Sequence, residues 1–288
     1  MKIFLQQVLN GLVIGSVYVL IALGLTLLWG ILDIPNFAHG NLYMIGAYVT
    51  CVFVNQYLFG FFTAMIISMF IIAGVGILTE MLVFRPLRGT APINYLIAAL
   101  GLFVSLETIA LLIWTPDPRV IETPFTQKVI AFMDLRITVQ RLMIISVTII
   151  LIALLYLFVK KTMMGKAMRA MAQNREAAAL LGINISRVSV ISFAIASALA
   201  AAAGSLIGPI FQVYPTMGGI PIVKAFVIII LGGMGSIPGA ILGGYILGCA
   251  EGLGAGYVST AYKDAIGFGI LIIVLMVKPS GIFGEVKR

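Results

Sequence analysis

The chain has 288 residues, 61% hydrophobic and only 10% charged, with 18 basic against 10 acidic side chains and a net charge of +8; mean hydropathy is +1.16. A soluble domain carries about a quarter charged residues, so composition excludes an ordinary water-soluble protein, and the basic excess has to be read by position along a membrane rather than as a nucleic-acid surface. No charge falls between Lys2 and Asp33, Asp33 and Glu80, Arg88 and Glu107, Arg141 and Lys160, Arg187 and Lys224, or Lys224 and Glu251, and each gap holds about 18 residues or more, enough for a spanning helix.

The uncharged run after Lys2 is too long for a signal-peptide apolar region, and no clear small-residue cleavage site follows, so it is read as a retained first span. In chain order, the apolar runs predict helices over 8–30, 40–59, 61–84, 93–115, 140–159 and 188–208, then a broken region 222–254, then 264–278. Helix is the default because lipid-facing backbone must satisfy its own hydrogen bonds. A barrel would need short alternating segments, and ISVTIILIALLYLF (145–158) does not alternate. The expected fold is therefore an all-α polytopic bundle, a single transmembrane domain over 1–288, multi-pass in the bilayer.

Charge sets its orientation. Residues 160–187 carry six bases (Lys160, Lys161, Lys166, Arg169, Arg175, Arg187) against Glu176, which puts this segment in the cytoplasm. Residues 116–138 balance Asp117, Glu122 and Asp134 against Arg119, Lys128 and Arg136, and fall outside; Arg85 and Arg88 mark a second cytoplasmic turn. A single crossing by 222–254 would strand Lys278, Lys287 and Arg288 outside. LGGMGSIPG (231–239) breaks that run, and a re-entrant pair of half-helices entering and leaving on the outer side restores a cytoplasmic C-terminus. IPNFAHG (34–40) interrupts the front half in the same way and suggests a structural repeat. Ala240, Gly244, Gly248, Gly252 and Gly256 recur every four positions, as do Ala196, Ala200, Gly204 and Gly208, with Gly11 and Gly15 near the start. Such ridges let helix backbones approach closely in lipid; packing is the plainer reading, sliding during transport the sharper one.

Chemistry of other kinds is missing. No P-loop, HExxH, GxSxG or EF-hand pattern occurs, so nucleotide binding and catalysis are not expected of this chain. One histidine and two distant cysteines, Cys51 and Cys249, make no metal site, and no cofactor is expected. What remains is the cytoplasmic stretch 160–188, where Met168 to Leu181 favours helix and Gly182 is a natural stop. It reads either as a basic helix on anionic lipid or as a docking helix for a cytoplasmic partner.

Glu176-Ala177-Ala178 followed by Gly182 resembles the EAA…G loop of ABC importer permeases, without the Ile-x-Leu-Pro that follows it in that motif. NGLVIGSVYVLIALGLTLLWGIL (10–32), IPNFAHGNLYMIGAY (34–48), RPLRG (85–89), MGKAMRAMAQNREAAALLGIN (164–184), KAFVIIILGGMGSIPGAILGGYILGCAEGL (224–253) and KPSGIFG (278–284) extend the resemblance over nearly the whole chain. They are similar to permeases of high-affinity branched-chain amino acid importers of the LivH type. The resemblance implies an inner-membrane permease paired with a second, related permease, two cytoplasmic ATPases and an extracytoplasmic binding protein. It implies coupling to the ATPase through Arg175, Glu176, Ala177, Ala178 and Gly182, and leucine, isoleucine or valine as cargo. Urea and amide importers use similar permeases, and an ion-coupled transporter or a channel is the rival from another class.

Four residues are candidates for the translocation path, each against a plainer role. Glu107 lies well inside its span and needs a cavity, a partner or a proton; pairing within the bundle is favoured. Asn36 and His39 sit at the IPNFAHG break, where a helix cap is the favoured role of the histidine. Ser236, in the GGMGSIPG turn, is expected to face a cavity, since turn amides cannot face hydrocarbon. Lys224 is read as snorkelling to the interface and Glu251 as bonding freed backbone amides.

Overall fold

The computed structural model describes residues 2–132, 135–278 and 280–284; Asp134, Lys287 and Arg288 lie outside the described residues. Eleven α-helices are described: α1 Lys2–Leu32, α2 His39–Asn55, α3 Phe61–Thr79, α4 Pro92–Trp114, α5 Val139–Lys161, α6 Met163–Gln173, α7 Arg175–Leu180, α8 Ile185–Ile207, α9 Gly219–Gly232, α10 Ile237–Tyr257 and α11 Lys263–Val277. Seven helical segments are long and apolar enough to cross a membrane: α1, α3 with its π-helical extension Glu80–Phe84, α4, α5, α8, α10, and α11 with the short 3-10 turn before it. The outer segment adds a hairpin, β1 Val129–Phe132 antiparallel to β2 Leu135–Thr138, pairing Val129 with Thr138.

Helix α1 is apolar on every side and is the axis of the bundle, with 89% of its apolar stretch buried, against 11% for α4 and 6% for the segment that ends in α11. An all-round apolar helix belongs in the centre, and the outer helices keep their apolar faces for the bilayer. At the far end of α1, Arg141 of α5 donates to Asn10 at 2.5 Å. Its C-terminal end adjoins α6, at a crevice lined by Gly30, Ile31, Met168 and Arg169. With the basic 160–187 segment inside, α1 therefore starts on the outer side and ends at the cytoplasm. It lies antiparallel to α10 along the small-residue ridges: a Cβ on Gly248 would stand 2.5 Å from Gly15 Cα, so the two backbones touch.

Both chain breaks are present, at different depths. After α1 the chain re-enters the bundle through non-helical residues 33–38, and α2 starts inside it, beside the middle of α1. After α8, residues 208–218 dip inward and α9 starts against the first turn of α2; a Cβ on Gly40 would meet Gly218 O at 2.4 Å. At about 1.5 Å per residue α9 is too short to span alone. The pair α9–α10 does enter and leave on the outer side, so α11 ends at the cytoplasm as parity requires. The 231–239 turn, however, lies at the cytoplasmic edge, not within the bilayer, and α10 is a full crossing of 21 residues rather than a half-helix. The intramembrane break is at 208–218, where Tyr214–Gly219 make successive turns. The C-terminal strap closes the far end of α9: Ile282 and Phe283 amides donate to the carbonyls of Leu231 and Gly232 at 2.8 and 3.0 Å.

Candidate functional site

The two half-helices begin in a polar pocket of the core. His39, the first residue of α2, is fully buried, and its Nε2 lies 3.2 Å from the Ile21 carbonyl of α1. It tethers two helices rather than capping its own: the N-cap is Ala38, which has no side-chain cap. Asn36 is equally buried, and neither atom of its amide has a partner among the described residues. Asn41 donates to the Phe103 carbonyl of α4 while its Oδ1 is unpartnered. Buried unpaired amides cost about 1–3 kcal/mol each, so they mark a place where the fold tolerates strain in order to keep polar groups available.

Behind this pocket stands an ion network. Lys224 of α9, 2% exposed, pairs with the fully buried Glu251 of α10, and its ammonium also reaches Asp264 of α11 at 3.0 Å. Tyr18 of α1 donates to the other Glu251 oxygen at 2.9 Å. Lys224 therefore does not snorkel, and Glu251 bonds side chains rather than backbone. One cation and two carboxylates, one of them half-exposed, tie four helices together through contacts 27 and 233 residues apart in sequence. A buried charge is tolerable only when paired and hydrogen-bonded, and this arrangement meets that condition.

On the outer side of the network an open cavity of about 450 Å³ is lined by α1, α2, the 207–217 segment, the first turn of α9 and the start of α11. Tyr18 forms part of its wall, so the ion network borders it.

The cytoplasmic face carries the basic segment as two helices rather than one. Asn174 adopts an extended conformation, φ −156°, ψ 109°, and its Oδ1 accepts from Ala177 N at 2.9 Å, ending α6 and capping α7. Asparagine competes with the helix for its own amides, which is why the expected continuous helix 168–181 breaks there. Gly182, at φ +84°, closes α7: Gly182 N donates to Ala179 O at 3.0 Å and Ile183 N to Ala178 O at 3.1 Å, a Schellman pair. Glu176 and Ala177 face solvent and Arg175 is half-exposed, but Ala178 is 2% exposed and packs inward. The outward apolar groups are Leu180 and Leu181, 90% and 82% exposed. Beneath them, Arg88 of the 85–91 turn pairs with buried Glu80 and donates to Ser186 at the start of α8, at 2.6 Å.

The chain's family follows from its match to known proteins. The profile of the "Branched-chain amino acid transport system / permease component" family matches residues 7–275. The high-affinity branched-chain amino acid transport system permease protein LivH of Escherichia coli (strain K12) is 39% identical over 98% of this chain and 96% of its own. BraD of Pseudomonas aeruginosa, a permease protein of the same description, is 36% identical over the same shares. A probable branched-chain amino acid permease of Methanocaldococcus jannaschii is 29% identical over 97% of this chain and 92% of its own. The chain belongs to this permease family. No solved structure matches it.

The permease does not gather the four path candidates at one place. Asn36 and His39 share the half-helix pocket, where His39 N donates to Asn36 O at 3.2 Å. Ser236 is at the cytoplasmic edge, capping α10 by accepting from Gly239 N at 3.1 Å; its turn borders the crevice under α6, not a mid-membrane cavity. Glu107 is half-buried on the peripheral α4 and meets no base among the described residues, which corrects the expectation of a pair inside this bundle. The ion network and the outer cavity are new. Lys224 and Glu251 are the only charges between 188 and 262, and that isolation is the sequence signal that joins them.

Proposed function

We propose that this chain is a permease subunit of an ATP-binding-cassette importer that takes branched-chain amino acids delivered by an external binding protein across a bacterial inner membrane. The observation that carries the reading is the near full-length likeness to LivH and BraD permeases. In this reading the whole chain is one permease domain, paired in the bilayer with a second, related permease. The chain is a transporter subunit, and two cytoplasmic ATPases supply the hydrolysis; they dock on α6–α7. The exposed Glu176, Ala177, Leu180 and Leu181 and the fixed turn at Gly182 offer them a small, shaped surface, with Arg175 at its edge and Ala178 buttressing from below. Asn36 and His39 border the path, and the unpaired Asn36 amide supports this, since a polar group kept available in a dry core has little use otherwise. Glu107, half-buried on the peripheral α4, meets the second permease, and Ser236, which caps α10, is a hinge beside α6.

An aliphatic cargo also fits the mostly apolar wall of the outer cavity better than urea does. The test is uptake by vesicles holding the complete transporter. Labelled leucine enters and is competed by isoleucine and valine, while urea neither enters nor competes; urea uptake without leucine uptake would overturn the cargo assignment.

A further inference from the structure

The outer cavity sets beside its aliphatic wall a charge that none of the roles above uses. Aliphatic side chains, Ile14, Val17, Ile207 and Met217 among them, make most of its surface. Gln212, Tyr43 and Tyr214 contribute neutral polar groups, and Lys263 contributes the one charged group of its lining. The Lys263 ammonium has no carboxylate partner among the described residues, whereas the next residue, Asp264, is engaged by Lys224 at 3.0 Å. The floor, Met217 to Pro221, is the entry to α9, whose dipole turns its positive end to the cavity. The volume, about 450 Å³, is that of a small-molecule site, and an apolar pocket with a few convergent polar groups is its usual composition.

An uncompensated cation beside an aliphatic wall selects for a molecule with a carboxylate at one end and a branched hydrocarbon at the other. The charge-assisted hydrogen bond to the carboxylate is of the strong kind. No carboxylate lines the cavity, so a second positive charge on the cargo would find no partner and would be repelled by Lys263. The α-ammonium of a zwitterion has the oxygens of Gln212 and Tyr214 within the same wall. We infer that this cavity is the permease's own cargo site, holding one aliphatic amino acid with its carboxylate on Lys263 and its side chain against Val17 and Met217. The inference rests on the importer reading and adds to it a selectivity device inside the membrane subunit, separate from the external receptor.

The test places a reporter cysteine at Ile210, with Cys51 and Cys249 replaced by serine, in the complete transporter held nucleotide-free in oriented vesicles. A hydrophilic maleimide added outside labels it, and the rate without ligand verifies insertion for every variant. L-Leucine slows labelling, whereas leucinamide, which lacks the carboxylate, and L-lysine do not. Lys263→Gln raises the leucine concentration for half-protection about tenfold, the loss expected for one charge-assisted hydrogen bond, and Lys263→Arg restores it. A transporter that takes up leucine yet shows no protection, or equal protection in Lys263→Gln, overturns the cargo site while leaving the importer reading standing. Protection by urea in a transporter that does not carry leucine overturns both.

Discussion

Lys224 and Glu251 show how much of this fold rests on two side chains. Each sits alone in a long uncharged stretch, where insertion of an unpaired charge costs about 3 kcal/mol, and together they cost the membrane little because each is the other's partner. Removing Lys224 leaves Glu251 buried and uncompensated, whereas removing Glu251 leaves Lys224 with the half-exposed Asp264. Lys224→Met is therefore expected to lower stability by about 3–5 kcal/mol, read as a lower thermal midpoint of the detergent-solubilised complex. Adding Glu251→Ala to Lys224→Met should recover much of that loss, because the carboxylate that remains, Asp264, is half-exposed to water. A single variant as stable as its parent would show that the network does not hold the helices. The charges were legible in the sequence, but their pairing was not: distance along the chain hides a contact that depends on α9 and α10 folding back through the 233–236 turn. The role of His39 is hidden for a related reason, since its partner is a backbone carbonyl of another helix, and carbonyls leave no trace in composition.

Helix against helix, the ridges of small residues and the α6–α7 pair matter most. Gly15 and Gly248 let α1 and α10 touch backbone to backbone. Gly248→Leu should force them apart, costing about 1–3 kcal/mol or more, and limited proteolysis should detect the loosened bundle as faster cleavage at the same protease dose. Unchanged proteolysis would mean that the crossing has slack. At the cytoplasmic face, Gly182→Val opposes a φ of +84° that side chains rarely adopt, and Glu176→Lys reverses an exposed charge. The double variant is expected to insert normally yet to lose uptake, with ATP hydrolysis unresponsive to loaded binding protein. Glu176→Ala alone should be mild, because exposed ion pairs contribute little. Normal uptake by the double variant would remove the docking role. The spans were readable because hydropathy and length suffice in a bilayer. The break at Asn174 and the β1–β2 hairpin were not, because each depends on local side-chain and turn geometry that a helix-favouring composition conceals.

For the molecule as a whole, the breaks at 33–38 and 208–218 start two half-helices from opposite sides of the membrane and bring their first turns together in the core. Their existence was legible from IPNFAHG and from parity, but the depth of the second was not: 231–239 carries the denser glycine signal, although Gly208, Pro209, Pro215 and Gly218 mark the 208–218 segment as well. The resulting orientation is directly checkable. With Cys51 and Cys249 replaced, Leu5→Cys should react with an impermeant maleimide from outside intact cells and Leu180→Cys should not; the opposite pattern would invert the topology. The fold otherwise assembles an outward cavity, a polar core and a cytoplasmic docking face along one axis around α1, an arrangement suited to a permease driven from below. Whether it is so driven is decided by one measurement: leucine uptake into proteoliposomes containing this chain with its partner permease and ATPases. Uptake is expected to require ATP on the ATPase side together with loaded binding protein on the other, and to be indifferent to a proton gradient. Uptake driven by a proton gradient with the ATPases absent would contradict the account.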